Sequence, residues 1–410
     1  MIALPDYLPM SATKGLRGKQ TPIHETKVIY KSSYDAYVKA TPVKITESFA
    51  GSELHDPDFR GGTVKQRYSR ITFAVLIAGM FIAIFEFGGF LQADSDNSVP
   101  NPYHQVEGWA KSLPDGRQWG GTNAVTVDSK GNVWVAERCG AQSCAHSTLD
   151  PILEFDASGK LLKSFGGGMF VLPHSVLVDK SGNVWVADNS GLEGKGQQVI
   201  KFSPDGKELM RLGKAGVAGD GPDTFNQPDA VAIGANGDIF VADGHTVGTG
   251  NARVVKFSKD GRFIKQWGEH GSGPGQFEQP HDIAIDSHGR IFVADRGNHR
   301  LQIFDQDGKF IDQWNQFGRV SGLFIDAHDT LYAADGSSQS DDPKRATYNP
   351  GFEQGIRVAS AKDGKITAFI PILPPAGVAT IAPEGVAADA DGSIYGADVV
   401  LKGVLKFVKN

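Results

Sequence analysis

A fifteen-residue pattern returns six times between residues 124 and 399, and a repeat of that kind restricts the fold more than any other feature of the chain. AVTVDSKGNVWVAER (124–138) recurs as SVLVDKSGNVWVADN (175–189), AVAIGANGDIFVADG (230–244) and DIAIDSHGRIFVADR (282–296). GLFIDAHDTLYAADG (322–336) and GVAADADGSIYGADV (385–399) are weaker copies. Each reads as an alternating apolar strand, a Gly or Asp turn, and a second strand ending in Ala-Asp or Ala-Glu. A second hairpin follows in ILEFDASGKLLKSFG (152–166), VIKFSPDGKELMRLG (199–213), VVKFSKDGRFIKQWG (254–268) and LQIFDQDGKFIDQWN (301–315). Four strands per unit, spaced 40 to 63 residues apart, describe a propeller blade. The six units therefore predict an all-β, six-bladed propeller over residues 105–410.

The sixth unit ends at GVLKFVKN, one strand short. A ring left open there would expose a row of unpaired backbone groups. QVEGWAKSL (105–113) is expected to supply the missing outer strand and tie the two ends of the domain together.

The 104 residues before the repeats are of another kind. Residues 71–85, ITFAVLIAGMFIAIF, carry no charge, and after Glu86 the apolar run continues to Leu91. The stretch reaches the roughly 20 residues of a membrane span when Glu86 lies at the far interface. Arg60, Lys65, Arg67 and Arg70 precede it, and Glu86, Asp94 and Asp96 follow it. The positive-inside rule then predicts a single-pass anchor at 71–92, with a cytoplasmic N-terminus and a periplasmic or extracellular C-terminal part. A cleaved signal peptide is the other reading, but a polar leader of 70 residues is long for one. Residues 1–70 read as a disordered cytoplasmic tail and 93–104 as a linker.

Charge separates the same parts. Residues 1–70 hold eleven Lys and Arg against seven Asp and Glu, a net +4; the remainder holds 30 against 40, a net −10. The acidic balance of the globular part argues against nucleic acid, which requires a basic face. It is compatible with cations or small molecules.

The residue just before each repeat forms a ring of six: Asn123, His174, Asp229, His281, Ser321 and Glu384. All are polar and all open an apolar strand at the mouth of the central channel. His174, His281 and Glu384 fall in alternate blades and can converge near the axis, and two imidazoles with one carboxylate form a catalytic zinc set. The alternative is a set of strand-capping residues along a hydrated channel. A second ring, Glu137, Asp188, Asp243, Asp295, Asp335 and Asp398, is acidic in every copy, which points to a turn or hydrogen-bond role within the repeat. The position after it varies and includes Arg138 and Arg296 in opposite blades. Such a pair can grip a carboxylate, or each can pair with a neighbouring acid. Cys139 and Cys144, in RCGAQSCAHS, are the two cysteines of the chain, and outside the cytoplasm they are expected to pair.

LPHSVLVDKSGNVWVAD, QPHDIAIDSHGRIFVADRGNHRLQIF and KFSKDGRFIKQWGEHGSGPGQF together resemble the peptidyl-α-hydroxyglycine α-amidating lyase family, a group of NHL-repeat propellers. The resemblance covers residues 105–410 and implies a zinc-dependent lyase that releases a peptide amide and glyoxylate. Two of the family's zinc histidines match His174 and His281, and its two arginines match Arg138 and Arg296. Its third zinc histidine corresponds to Glu384 and its catalytic tyrosine to His245, which would serve as proton carrier. Its structural calcium, held by two carbonyls and an aspartate, corresponds to Val125, Val176 and Gly385. Two functions follow as expectations: a metal-dependent lyase or hydrolase at the channel mouth, or a non-catalytic propeller that binds a peptide or protein.

Overall fold

The computed structural model describes residues 97–110, 112–378 and 381–410. All six copies of the repeat form antiparallel hairpins whose first strand is innermost: Thr122–Val127, Pro173–Val178, Pro228–Ile233, Pro280–Ile285, Val320–Ile325 and Pro383–Ala388. Each hairpin belongs to a four-stranded sheet, and the six sheets are the predicted blades. Four of the inner strands begin with proline, whose missing N–H is tolerated at the first residue of a strand.

The second strand of each blade is buried on both faces, which explains its nearly continuous apolar sequence. In blade one, Val133 and Val135 pack with Ala387, Tyr395 and Ala397 of blade six. The alternate residues, Trp134 and Ala136, pack with Val176, Val184 and Val186 of blade two. A period of two thus divides one strand between two neighbouring interfaces. The outermost strands, such as Phe263–Trp267, are largely exposed.

Blade six closes as the unpaired edge requires, but with a different strand boundary. Tyr103–Val106 pairs antiparallel with Gly403–Lys409, from Tyr103↔Lys409 to Val106↔Lys406. The expected segment 105–113 therefore starts too late. Tyr103 begins the strand because its ring is buried in the cluster that holds Tyr332 and Phe407. Beyond Val106 the chain turns through Gly108 and Ala110, both at positive φ. Trp109 then packs on Phe155 and Tyr395, at centroid distances of 5.7 and 5.2 Å. Trp109 and Ala110 of that segment form a core-packing turn rather than a strand. The end of the expected linker also joins the fold, since Asn97 Oδ1 accepts a 2.7 Å hydrogen bond from the buried Arg357.

Cys139 and Cys144 form a disulfide. The expected anchor at 71–92 and the tail before it lie outside the described residues. Among the described residues no helix is long and apolar enough to cross a membrane.

Candidate functional site

The ring of six polar positions lines a small cavity at the start of the inner strands. In every blade the pairing register between the first and second strands slips across one residue. The slips span Thr122/Ala124, Pro173/Ser175, Pro228/Ala230, Pro280/Asp282, Val320/Gly322 and Pro383/Gly385. The residue skipped is the ring residue each time. A bulge re-aims its side chain out of the alternating pattern, and here six bulges aim six polar side chains into one cavity.

The second ring supports those bulges. Each of its acids is buried and accepts backbone N–H groups from the segment that enters the inner strand. Asp295 takes those of Glu278 and Gln279, Asp398 that of Ala382, and Glu137 that of Gly120. Their role within the repeat is thus a hydrogen-bonded turn. Arginines complete several of these turns: Arg253 on Asp243 at 2.8 Å, Arg300 on Asp295 at 2.9 Å and Arg117 on Glu137.

Within the cavity three imidazoles meet. The rings of His174, His245 and His281 lie 4.8 to 5.0 Å apart, and one nitrogen from each falls within 4.8 Å of the others. His281 Nδ1 donates to the Ser321 carbonyl at 2.8 Å, and His174 Nδ1 lies 3.3 Å from the Asp229 carbonyl. A carbonyl can only accept, so both rings carry their proton on Nδ1 and a lone pair on Nε2. Those Nε2 atoms are buried and have no hydrogen-bond partner. His245 Nδ1 lies 3.1 and 3.2 Å from the two oxygens of Asp229, a carboxylate that also receives Asn189 Nδ2. Burial pushes His174 down to about 3 and His281 well below its ordinary value, so both are neutral and able to ligate. Lone pairs facing one cavity, with oriented protons on the far nitrogens, give a group of side chains that could hold a metal ion.

The grouping differs from the sequence expectation. His174 and His281 are together as predicted, but the third imidazole is His245, from blade three, and not a ligand from blade six. The cause lies in the backbone after Asp243. Gly244 has φ +146°, and a Cβ there would stand 1.5 Å from the Asn251 carbonyl oxygen. Glycine lets the chain fold back and bring His245 over Asp229. Glu384 instead sits beside the cluster: Oε2 is 3.4 Å from His281 Nε2, and Oε1 is 3.5 Å from Arg296. Its Oε2 is buried without a hydrogen bond.

Both predicted arginines reach this region. Arg296 is buried and contacts Ser321 Oγ at 3.3 Å. Arg138 donates to Gln142 Oε1 at 3.1 Å. Burial lowers its guanidinium from the usual range, while Glu384 opposes that shift. The segment after Arg138 is the disulfide loop, which Gln142 ties to the Val399 carbonyl of blade six at 3.4 Å.

A third arginine, Arg319, was not singled out in the sequence. It is buried, donates to His299 Nε2 at 2.8 Å and contacts Gln279, whose Nε2 donates to the His245 carbonyl at 2.6 Å. Its signal was available two residues before the ring. That offset reads Gly121, Leu172, Gln227, Gln279, Arg319 and Ala382, polar only in blades three to five.

Calcium is not supported by the residues present. Val125 and Val176 line the cavity, but Gly385 has no space for a side chain. A Cβ there would meet the Asn123 carbonyl oxygen at 2.7 Å and Ala124 Cα at 2.8 Å. The matching position in blade four is Asp282, whose carboxylate is occupied by the backbone N–H groups of Leu323 and Ile283, both at 2.7 Å. A second metal-capable group, Asp286, His288 and Asp329, sits on turns at the opposite end of the strands. Asp286 there is engaged by Arg290 at 2.7 Å.

Comparison with known proteins agrees with this architecture. An NHL repeat model matches residues 277–304, and a 6-bladed beta-propeller model matches residues 224–289. Peptidyl-glycine alpha-amidating monooxygenase of Mus musculus is 40% identical over 156 residues, 36% of this chain and 15% of that protein. Peptidyl-alpha-hydroxyglycine alpha-amidating lyase 1 of Drosophila melanogaster is 35% identical over 171 residues, 37% of this chain and 30% of that one. The match thus spans under a third of either relative. A solved protein of unknown function from Bacteroides thetaiotaomicron shares the fold, with a TM-score of 0.52 at 15% identity over 75% of this chain and 76% of its own. The chain is a six-bladed β-propeller with NHL-type repeats, similar in sequence to peptidyl-α-hydroxyglycine α-amidating lyases.

Proposed function

We propose that the propeller is a metal-dependent lyase acting at the channel mouth on a carboxylate-bearing peptide substrate, as the names of its relatives suggest. One observation carries this reading: three imidazoles converge, and two of them bury unpartnered Nε2 lone pairs. Three histidines with an open fourth position form a recognised catalytic zinc set. A bound zinc ion would polarise a substrate oxygen as a Lewis acid. The chain's own residues do the rest. Asp229 and the Ser321 carbonyl orient the imidazoles, and the arginines hold the substrate anion. Glu384 Oε2 is placed to take and return the proton, a role that His245 leaves when it joins the metal set.

The same reading tethers the propeller through residues 71–92 and places it outside the cytoplasm. The Cys139–Cys144 disulfide supports that compartment. The alternative is a propeller that only binds a peptide or protein, favoured by Glu384 standing against Arg296 where an anionic ligand would sit.

Elemental analysis with an activity assay separates the two. The purified chain is expected to hold about one zinc-class ion, and His245→Ala and His281→Ala each to weaken its binding about tenfold or more. Glu384→Gln should keep the metal and lose glyoxylate release from a hydroxyglycine peptide. A metal-free protein, or unchanged metal content in His245→Ala, would exclude the lyase reading.

A further inference from the structure

Among the described residues, Arg319 is a buried cation whose guanidinium makes no ion pair with a carboxylate. Its guanidinium hydrogen-bonds neutral groups: His299 Nε2 at 2.8 Å, Ser337 Oγ at 3.0 Å and Gln279 Oε1 at 3.5 Å. Asp335, the second-ring acid of the same blade, accepts the backbone N–H of Arg319 at 3.2 Å and lies 3.7 Å from Arg357. The other buried arginines contrast with it. Arg253 and Arg300 each sit on the second-ring acid of their own blade. In blade five Arg357 takes that place, so Arg319 is surplus to the turn. A buried charge calls for a counter-charge, and the acid that acts on this one, Asp335, is engaged by the backbone of the turn and by Arg357 rather than by the Arg319 guanidinium.

Its surroundings point to the missing anion. Burial and the neighbouring Arg296 pull Arg319 down to about 10 although Asp335 opposes them, so two guanidinium groups share one region. Arg296 is only partly offset by Glu384, at 3.5 Å. Gln279 joins Arg319 to the imidazole cluster through the His245 carbonyl, and its 3.5 Å contact to the guanidinium is the longest of the three.

We propose that Arg319 and Arg296 form a carboxylate-binding subsite on the blade four and five side of the three imidazoles. Its occupant is the substrate carboxylate, an identity that rests on the lyase reading; the affinity for carboxylates does not. Arg138, held by Gln142 on the blade one side, is then left to contact another part of the ligand.

Hippurate, a simple acylated glycine carboxylate, is the probe, titrated calorimetrically into the full chain as purified. Arg319→Gln is expected to weaken its binding by about tenfold or more. His299→Glu sets an internal carboxylate against Arg319 and should do the same, whereas His299→Gln should stay within about threefold of the parent. The His299 pair decides the matter if Arg319→Gln does not fold, because its two members differ only in charge. The titration is repeated on His281→Ala. Binding kept there and lost in His299→Glu assigns the carboxylate to the guanidinium groups, even if the protein proves to hold no metal. Equal binding in parent, His299→Glu and folded Arg319→Gln, or no binding to the parent, overturns the subsite.

Discussion

His299 accepts a hydrogen bond at Nε2 from Arg319, 2.8 Å away, and can do so only while that nitrogen is unprotonated. Burial, with Arg319 adding to it, pushes His299 down to about 4 from 6.5. The unfolded chain therefore takes up a proton near pH 6.5, and the folded chain takes it up only near pH 4. The stabilisation is complete above the upper value and is lost as pH falls toward the lower one. Urea titrations across that window should show stability falling by up to about 1.4 kcal/mol per pH unit from this group. In His299→Gln that component should vanish; an unchanged slope would show that His299 is not the group responsible. The same scale shows which site residues the sequence reveals. His174, His281, Arg138 and Arg296 stand at fixed offsets in the repeat, so alignment finds them. Arg319 stands at an offset that only three blades fill with a polar residue, and its partner His299 belongs to the neighbouring blade; His245 is held by Asp229 of its own blade and meets imidazoles of blades two and four.

At the scale of the strand, the bulge on each ring residue is the device that makes a site from a repeat. It also brings inner-strand backbones close together. A Cβ on Gly322 would meet the Glu384 carbonyl oxygen at 2.4 Å, and one on Gly385 would meet the Asn123 carbonyl oxygen at 2.7 Å. Both neighbours are backbone and cannot swing aside. Gly385→Ala is thus expected to cost about 1–3 kcal/mol, as overpacking does. Chemical denaturation measures this, and a neutral result would mean that the inner strands have slack. Gly385→Asp should likewise destabilise the blade rather than create a calcium site. The repeats show the strands and their order plainly. They do not show the register slip, because a bulge arises from pairing with the second strand and leaves no mark on the periodicity.

At the scale of the whole molecule, the ring is held shut by one short strand. Tyr103–Val106 covers the edge of Gly403–Lys409 and carries Tyr103 into the core between blades five and six. A chain of residues 108–410 should be less stable than one of 97–410 by more than about 3 kcal/mol, from the lost aromatic burial alone. It should also associate through its open edge. Thermal melting and sedimentation test this; equal melting points and a monomer in both would mean that closure is dispensable. The disulfide loop and the blade two hairpin add a second tie at the mouth, where Lys195 reaches the Ala145 carbonyl at 3.0 Å.

The sequence by itself determined the blade count, the strand order, the need for an N-terminal closing strand and the ring of polar positions. These are local and repeated, so one chain contains six readings of the same physics. It also placed the disulfide partners five residues apart in a single loop. The tertiary structure decided which ring members meet. Three imidazoles from adjacent blades two, three and four converge, although symmetry alone favoured alternate blades. Gly244 turns the chain back there, and Asp229 orients two of the rings. It likewise set Glu384 against Arg296 and, among the described residues, left the Arg319 guanidinium on neutral partners. Such pairings depend on distances across the channel, which a one-dimensional pattern does not contain.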